Sequence, residues 1–534
     1  MAQANDSTAP RPPGAMAEAA TLPALLDALA RRYPTAEAVV DGSRRVTWAD
    51  LRDDAFGLAA ALAAAGIDPG DTVAIWAPNS ANWIVAQLAV AATGAVLVPL
   101  NTRFQGPEAA YVLRRSRARL LFTVGEFLGR SYPQLLEGED VPDLERTVLL
   151  DDGPLADFAA GGSDPAWAAE AERRAAAVRP DDWLDLMFTS GTTGHPKGVR
   201  SRHGTTLRSF RFYAENLGIR PGDRYLLVNP LFHTFGSKAG VVAAMTVGAT
   251  LHPVAVFDPE SAADVIAAEA ITVFPGPPTV YHSLLQLPPE RRERLRSLRL
   301  AVTGAAAVPV ELLRRMSDEL GFEVVLTAYG LTETIGLVTM CRVGDPPEVV
   351  STTSGRAIPG VEVATVDAEG RPTPAGTPGE IVVRGYPVMD GYFEDPAATA
   401  ETIDADGWLH TGDVGILDED GGLRITDRIK DMFIVGGFNA YPAEIEAALM
   451  EAGGVAQVAV VGVPDERLGE VGMAFVVPRR GATVDQADLI GFARARLANY
   501  KVPRRVKVVD ALPVNAGGKV MKHVLRRQAL EEDR

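Results

Sequence analysis

From residue 47 onward apolar residues recur at helical spacing. Leu51, Ala55, Leu58 and Leu62 fall on one face, Thr47 and Asp50 have the form of a capping box, and Gly66 supplies the stop. A short apolar run at 73–76 predicts a strand, followed by a helix from about residue 80, a strand at 96–100, a helix near 107–117 and a strand at 120–124. Strands alternating with helices imply βαβ units and a largely parallel sheet. The alternation returns between 241 and 325, which predicts two such layers in the large N-terminal region.

Around residue 361 the rhythm changes. Runs at 361–366 and 380–384 flank a Gly/Pro-rich stretch, and runs at 416–417 and 423–425 flank a turn at 418–422. Such spacing predicts antiparallel hairpins, hence a small β-barrel-like subdomain. Beyond 428 the order reads strand 432–435, helix 442–451 with Pro442 in its first turn, strands 455–461 and 473–477, helix 485–498 and strand 505–509. A β-α-β-β-α-β unit of about a hundred residues can bury its own core. The expected fold class is α/β: an N-terminal domain at 21–429 of two βα-layered subdomains plus the β subdomain, and a small α+β domain at 430–534. Residues 1–20, Ala/Pro-rich and carrying Asp6 and Glu18 without a basic start or apolar core, read as a disordered tail rather than a targeting segment.

Composition narrows the chemistry. With 69 acidic and 52 basic residues the net charge is −17, which disfavours a nucleic-acid polymer as partner. The single cysteine, Cys341, rules out an intramolecular disulfide framework and a cysteine zinc cage, and a reducing cytoplasm is the simplest home. The most apolar stretch, 83–100, contains Gln87, Gly94 and Pro99 and predicts a buried helix running into a strand, not a membrane span. The seven histidines form no His-x-x-x-His pair, and no Gly-x-Ser-x-Gly elbow is present.

The strongest local signal is the string FTSGTTGHPKGV at 188–199, directly after an apolar run at 184–188. Thr189, Ser190, Thr192 and Thr193 offer hydroxyls, Gly191 and Gly194 let backbone N–H groups close on an anion, and Lys197 can reach a polyphosphate. A Walker A loop it is not, since Pro196 precedes the lysine and Gly198 follows it. A surface turn with chance Ser/Thr/Gly enrichment is the weaker reading. The string YGLTET at 329–334 follows an apolar run, so Glu333 sits at a strand end with the hard oxygen donors that suit Mg²⁺, Thr332 offers a hydroxyl, and Tyr329 a flat face. Asp413 in WLHTGD at 408–413 has the polarity to accept from two vicinal hydroxyls, although alone it would be an ordinary turn aspartate. Lys519 lies beside Gly517 and Gly518, which free the backbone around a compact charge.

These strings, in this order from about residue 22 to the C-terminal region, resemble the adenylate-forming superfamily: acyl-CoA synthetases, luciferases and peptide-synthetase adenylation domains. The resemblance implies ATP, Mg²⁺ and coenzyme A as cofactor and co-substrates, with a small carboxylic acid as partner, no nucleic acid, no transmembrane segment and a homodimer as candidate assembly. It assigns Thr332 to the α-phosphate, Tyr329 and Gly330 to adenine, and Gly304, Ala305 and Ala306 to the other wall of the nucleotide pocket. Asp413 and Arg428 become ribose ligands and Glu333 the metal ligand. Lys519 becomes the catalytic lysine between carboxylate and α-phosphate, and Lys430 the hinge of a mobile C-terminal domain whose Gly437 lines the pantetheine tunnel, with Gly436 beside it among the cofactor-binding residues. His233 is implied as a gate, with Phe235, Gly236, Lys238, Gly276, Thr303, Gly330 and Thr334 as acyl-pocket candidates. Lys238, unusual in an apolar pocket, could snorkel, pair with a carboxylate or meet a polar substrate group.

The expected activity is a two-step ligase that makes acyl-AMP and then the CoA thioester. The strings NPLFHTFGSKAG, FPGPPTVYHSLL, LTAYGLTET and ITDRIKDMFIVGGFNAYPAEIE resemble the branch acting on the hexahydroindane propanoate left by sterol-ring degradation in actinobacteria. Medium-chain fatty acids or aryl acids are the alternative substrates, and a luciferase-like oxygenase is the remoter rival. A peptide-synthetase module would carry an amino-binding Asp near 232–235, where this chain has Phe-His-Thr-Phe.

Overall fold

The computed structural model describes residues 18–189, 196–304, 308–428, 431–435, 438–440, 442–465, 468–495, 497, 499–514 and 520–532. The Trp48–Ala64 helix begins as its sequence demands: Thr47 Oγ1 accepts from Asp50 N at 3.1 Å while Asp50 Oδ2 accepts from Thr47 N at 3.2 Å. Leu51, Ala55, Leu58 and Leu62 on its inner face are buried. The next helix, Ala81–Thr93, is buried on every side, caps on Ser80 and stops at Gly94 with φ +79, then runs into the strand Val96–Pro99. No helix among the described residues is long and apolar enough to cross a membrane.

Two sheets form the large region. The first has six strands in the order Lys197–Arg202, Trp183–Thr189, Val96–Pro99, Thr72–Trp76, Leu120–Thr123, Arg146–Leu149, all pairs parallel except the first. The second starts from Arg44–Thr47, Glu37–Asp41, Thr250–Pro253 and Arg224–Leu227. Val273 bridges Tyr225 and Leu300 in parallel and so joins that half to Leu300–Thr303 and Val324–Tyr329, with the two-residue strands Thr339–Met340 and Arg356–Ala357 beyond. A single apolar core holds residues of both sheets and of the helices Leu22–Arg32, Trp48–Ala64, Ala81–Thr93 and His203–Leu217.

An antiparallel meander follows: Val361–Val366, Gly379–Gly385, Leu409–Leu417 and Leu423–Arg428, each paired with the next. The third strand begins well before the expected 416, because Leu409 and Val414 supply burial on either side of a polar Thr-Gly-Asp that carries little strand signal. C-terminal to it a separate apolar core gathers a five-stranded sheet and the helices Pro442–Met450, Gln486–Arg494 and Lys522–Glu532. Its expected strands and helices are all present. A short strand, Phe438–Ala440, and the final helix were not expected; the first is too brief and the second too polar to stand out.

Candidate active site

The string at 188–199 runs from one strand of a hairpin to the other. Trp183–Thr189 pairs antiparallel with Lys197–Arg202, so that Lys197 faces Thr189, Val199 faces Met187 and Ser201 faces Asp185. Thr189 and Lys197 are therefore the two stems of the loop; Ser190, Gly191, Thr192, Thr193 and Gly194 lie outside the described residues. Gly198 is required by packing, since a Cβ there would stand 2.8 Å from Leu186 Cδ1 and 3.3 Å from Phe393 Cβ.

Lys197 and Glu333 are brought together by a residue the sequence reading missed. The Tyr392 hydroxyl donates to Glu333 Oε1 at 2.9 Å, and Lys197 Nζ lies 4.9 Å from the centre of the same ring. Burial pushes the Tyr392 hydroxyl pKa up and the adjacent Glu333 carboxylate adds to it, so the phenol stays protonated and donates. The backbone locks this arrangement: Phe393 N donates to Gly198 O at 2.7 Å, Tyr392 bridges Val199, and Met389 N donates to Glu333 O at 2.9 Å. Only a polar-tipped aromatic in the short stretch Gly391-Tyr392-Phe393 marked the position beforehand.

Among the described residues no group of three or more His, Cys, Asp or Glu side chains could hold a metal. A lone hard-oxygen carboxylate, Glu333, suits Mg²⁺, which binds through one or two carboxylates and completes its shell with substrate phosphates and water. The donor set present therefore fits the ion.

A second group of candidates lies at the carboxyl ends of two parallel neighbours, Leu300–Thr303 and Val324–Tyr329, where open α/β sheets bind ligands. Gly304 follows the first, and a Cβ on it would lie 3.4 Å from Ala328 O; Ala305 and Ala306 are outside the described residues. Tyr329 closes the second, and its hydroxyl donates to Asp413 Oδ2 at 2.7 Å. Asp413 sits inside a strand rather than on a turn, 4% exposed and opposite Arg428, whose side chain lies outside the described set. Gly412 at φ +68 and a register shift between Val414 and Gly415 re-aim this part of the strand. Between the two ends runs a tight turn bearing Thr332 and Glu333. It closes because Gly330 has no Cβ, which would otherwise meet the Gly336 carbonyl carbon at 2.3 Å.

The acyl candidates divide. His233 caps the short turn Thr234–Gly236, its Nδ1 accepting from Phe235 N at 3.2 Å, so the neutral ring carries its proton on Nε2. The ring meets solvent, yet the surrounding protein and then the Lys238 charge lower its pKa. Phe235 is half-buried beside it. Thr303 is fully buried with no partner for Oγ1, and Gly276 packs against Val280, where a Cβ would approach Cγ2 to 2.8 Å.

Three candidates do not offer their groups to a substrate. Lys238 neither snorkels nor faces an open pocket: it is 1% exposed, with Nζ 3.1 Å from Asp185 Oδ1 and 2.5 Å from Ser201 Oγ. Thr334 is fully buried and spends its hydroxyl within its own turn on Leu331. Gly236 serves backbone packing, since a Cβ would stand 2.1 Å from Pro230 O. Lys430, Gly436, Gly437 and Lys519 lie outside the described residues.

A doubly layered α/β body with candidate polar residues at parallel strand ends, and a hairpin lysine near a carboxylate suited to a metal, has the make-up of a nucleotide-using enzyme. The model of the AMP-binding enzymes matches residues 26–393, that of the AMP-binding enzyme C-terminal domain matches 444–519, and the chain belongs to this adenylate-forming family. It is 50% identical over 520 residues, 95% of its length and 98% of the relative's, to 3-[(3aS,4S,7aS)-7a-methyl-1,5-dioxo-octahydro-1H-inden-4-yl]propanoyl:CoA ligase of Rhodococcus jostii. A ligase of the same description from Mycobacterium tuberculosis is 50% identical over 510 residues, 95% and 98% of the two chains. Among solved structures, the anthranilate CoA ligase AuaEII in complex with anthranoyl-AMP superposes with a TM-score of 0.85 at 28% identity, covering 96% of this chain and 98% of that one. The protein is an AMP-forming acid–thiol ligase, an acyl-CoA synthetase that uses ATP, Mg²⁺ and coenzyme A.

Proposed function

We propose that the acid is a bicyclic hexahydroindane propanoate of the kind left by sterol-ring breakdown, and that the site residues take the roles their chemistry suits. The observation that carries the substrate reading is identity of 50% along nearly the whole chain to two ligases named for such an acid.

A carboxylate oxygen of the acid attacks the α-phosphorus of ATP, and the bond to the β-phosphate oxygen breaks to release pyrophosphate. The thiolate of CoA then attacks the acyl carbonyl and AMP leaves with the bonding pair. Positioning and charge neutralisation dominate such phosphoryl chemistry. Residues 189–194 and Lys197 cradle the outer phosphates, Thr332 meets the α-phosphate, Tyr329 and Gly304 wall the adenine, and Asp413 with Arg428 takes the ribose hydroxyls. Glu333 would hold the Mg²⁺, which supplies neutralisation of the polyphosphate charge when bound. Tyr392 orients Glu333 for that task, a support supplied by the 2.9 Å hydrogen bond between them. Lys519 stands between the two negative reactants in the first step. Residues 21–429 and 430–534 act as two lobes hinged at Lys430, the smaller turning to bring Gly436 and Gly437 to the CoA arm. His233 gates the acyl side as a neutral ring and is not a base. The enzyme works in the cytoplasm, where ATP and CoA are supplied, as a homodimer open to test by sedimentation.

The experiment is a panel of carboxylic acids scored by CoA-dependent AMP release. Bicyclic propanoates should lead in kcat/KM by at least about tenfold, since burying the added ring carbons contributes more than the ~1.4 kcal/mol a tenfold ratio needs. A medium-chain or aryl acid in first place would replace the bicyclic reading while leaving the ligase itself intact.

A further inference from the structure

Lys238, Asp185 and Ser201 form a charged cluster inside the large lobe that none of the roles above uses. The Lys238 and Asp185 side chains are 1% and 3% exposed. Burial pushes the Asp185 carboxyl up and the Lys238 amine down, while each partner holds the other's charge. Such pairs are poor stabilising devices: desolvating two ions costs about what their attraction returns, and apolar pairs of similar volume are often as good or better.

Position suggests what else the pair does. Asp185 and Ser201 face each other across the phosphate hairpin, and side chains alternate between the faces of a strand. Asp185, Thr189, Lys197 and Ser201 therefore share one face, with the ion pair about 13 Å down the hairpin from the stems of the loop. Lys238 arrives from the other arm of the site. It lies on the π-helical turn Ser237–Val242, immediately after the His233 turn, and such turns concentrate at functional sites. That segment is packed without slack: a Cβ on Gly240 would fall 2.5 Å from Leu227 Cδ2, as one on Gly236 would meet Pro230 O. Ser237 donates to His233 O from both N and Oγ, at 2.9 and 3.2 Å. A displacement of Lys238 must therefore carry the His233 turn with it.

We propose that the buried Lys238–Asp185–Ser201 cluster is a positioning device that couples acid binding to ATP binding, by tying the acyl-side turn to the base of the phosphate hairpin. Nucleotide held by Lys197 fixes the paired strands Trp183–Thr189 and Lys197–Arg202, those strands fix Lys238, and Lys238 fixes the turn that carries His233 and Phe235. The coupling is reciprocal by linkage, so bound acid tightens the nucleotide by the same factor. This rests on the ligase reading above.

Equilibrium dialysis with α,β-methylene-ATP and Mg²⁺, whose α–β bridge cannot break, tests it with and without the best acid of the panel. In the natural enzyme the acid should tighten the analogue about fivefold or more. In K238M/D185L, where two apolar side chains replace the pair, a protein that melts as cooperatively as the parent should lose that gain to below about twofold. Full retention of the gain in the folded double variant overturns the proposal. If the double variant does not fold, S201A removes one hydroxyl contact and leaves the ion pair; a reduced gain supports the device and an unchanged one overturns it. A natural enzyme that adenylates no acid at all sinks the ligase reading, whereas one that ligates without any gain sinks this inference alone.

Discussion

In the roles proposed above, the nucleotide end and the acyl end of the site are built in opposite ways. At the nucleotide end, side chains from segments far apart in sequence turn their polar tips toward one another: Tyr392 to Glu333, Tyr329 to Asp413, Lys197 to the Tyr392 face. At the proposed acyl end most polar groups turn inward, the buried and unpartnered Thr303 hydroxyl being the exception. Lys238 is consumed by Asp185 and Ser201, Thr334 by its own turn, and His233 Nδ1 by the Phe235 N–H. On the proposed assignment the contrast follows from the ligands each end would hold. A triphosphate and a ribose are matched by donors and acceptors at fixed places, whereas an apolar acid is matched by shape, and spare polar groups near it must be satisfied internally or repel it.

Substitutions at the nucleotide end should therefore cost more, and act on the first half-reaction. The largest effect is expected from Lys519→Ala, a loss of about a thousandfold in acyl-AMP formation with far less loss in thioester formation from supplied acyl-AMP. Stopped-flow measurement of each half-reaction reads both, and equal losses would break the division between a first-step lysine and a separate CoA step. Next, Glu333→Gln should lower adenylation about a hundredfold and raise the Mg²⁺ concentration needed for half-maximal rate. A metal titration that does not move would remove Glu333 from the ion.

Asp413→Asn should raise KM for ATP about tenfold, through loss of a charged acceptor, while KM for the acid stays put. Tyr392→Phe should raise KM for MgATP about threefold to tenfold by releasing the Glu333 carboxylate, again without touching the acid. Smallest of all, Gly276→Ala should raise KM for the acid by a few-fold with ATP unchanged, because the added methyl presses on Val280. If the last two exchanged their signatures, the two ends would not be separate.

The same contrast explains what was legible in the chain. Apolar periodicity and capping chemistry foretold the Trp48–Ala64 and Ala81–Thr93 helices and the parallel strands Thr72–Trp76, Val96–Pro99 and Leu120–Thr123, since each signal is local. The Lys197–Arg202 strand was missed: its alternate positions are Lys, Val, Ser on one side and Gly, Arg, Arg on the other, and its burial comes from Asp185, Trp183 and Phe393 rather than from its own composition. Tyr392 was missed because its importance is purely tertiary, a hydroxyl reaching a carboxylate 59 positions away. Lys238 was noticed, with an ion pair among its three open fates. Only the fold could bring Asp185 and Ser201 to it, from 53 and 37 positions away (238 − 185 and 238 − 201).

The central claim is that an acid carboxylate attacks the α-phosphorus of ATP in the site bounded by Lys197, Glu333 and Asp413. Supplying the acid with both carboxylate oxygens as ¹⁸O and analysing the products by mass spectrometry tests it most directly. One ¹⁸O should appear in AMP, one should remain in the thioester, and pyrophosphate should carry none. Label in pyrophosphate or free phosphate, or ADP in place of AMP, would contradict the account.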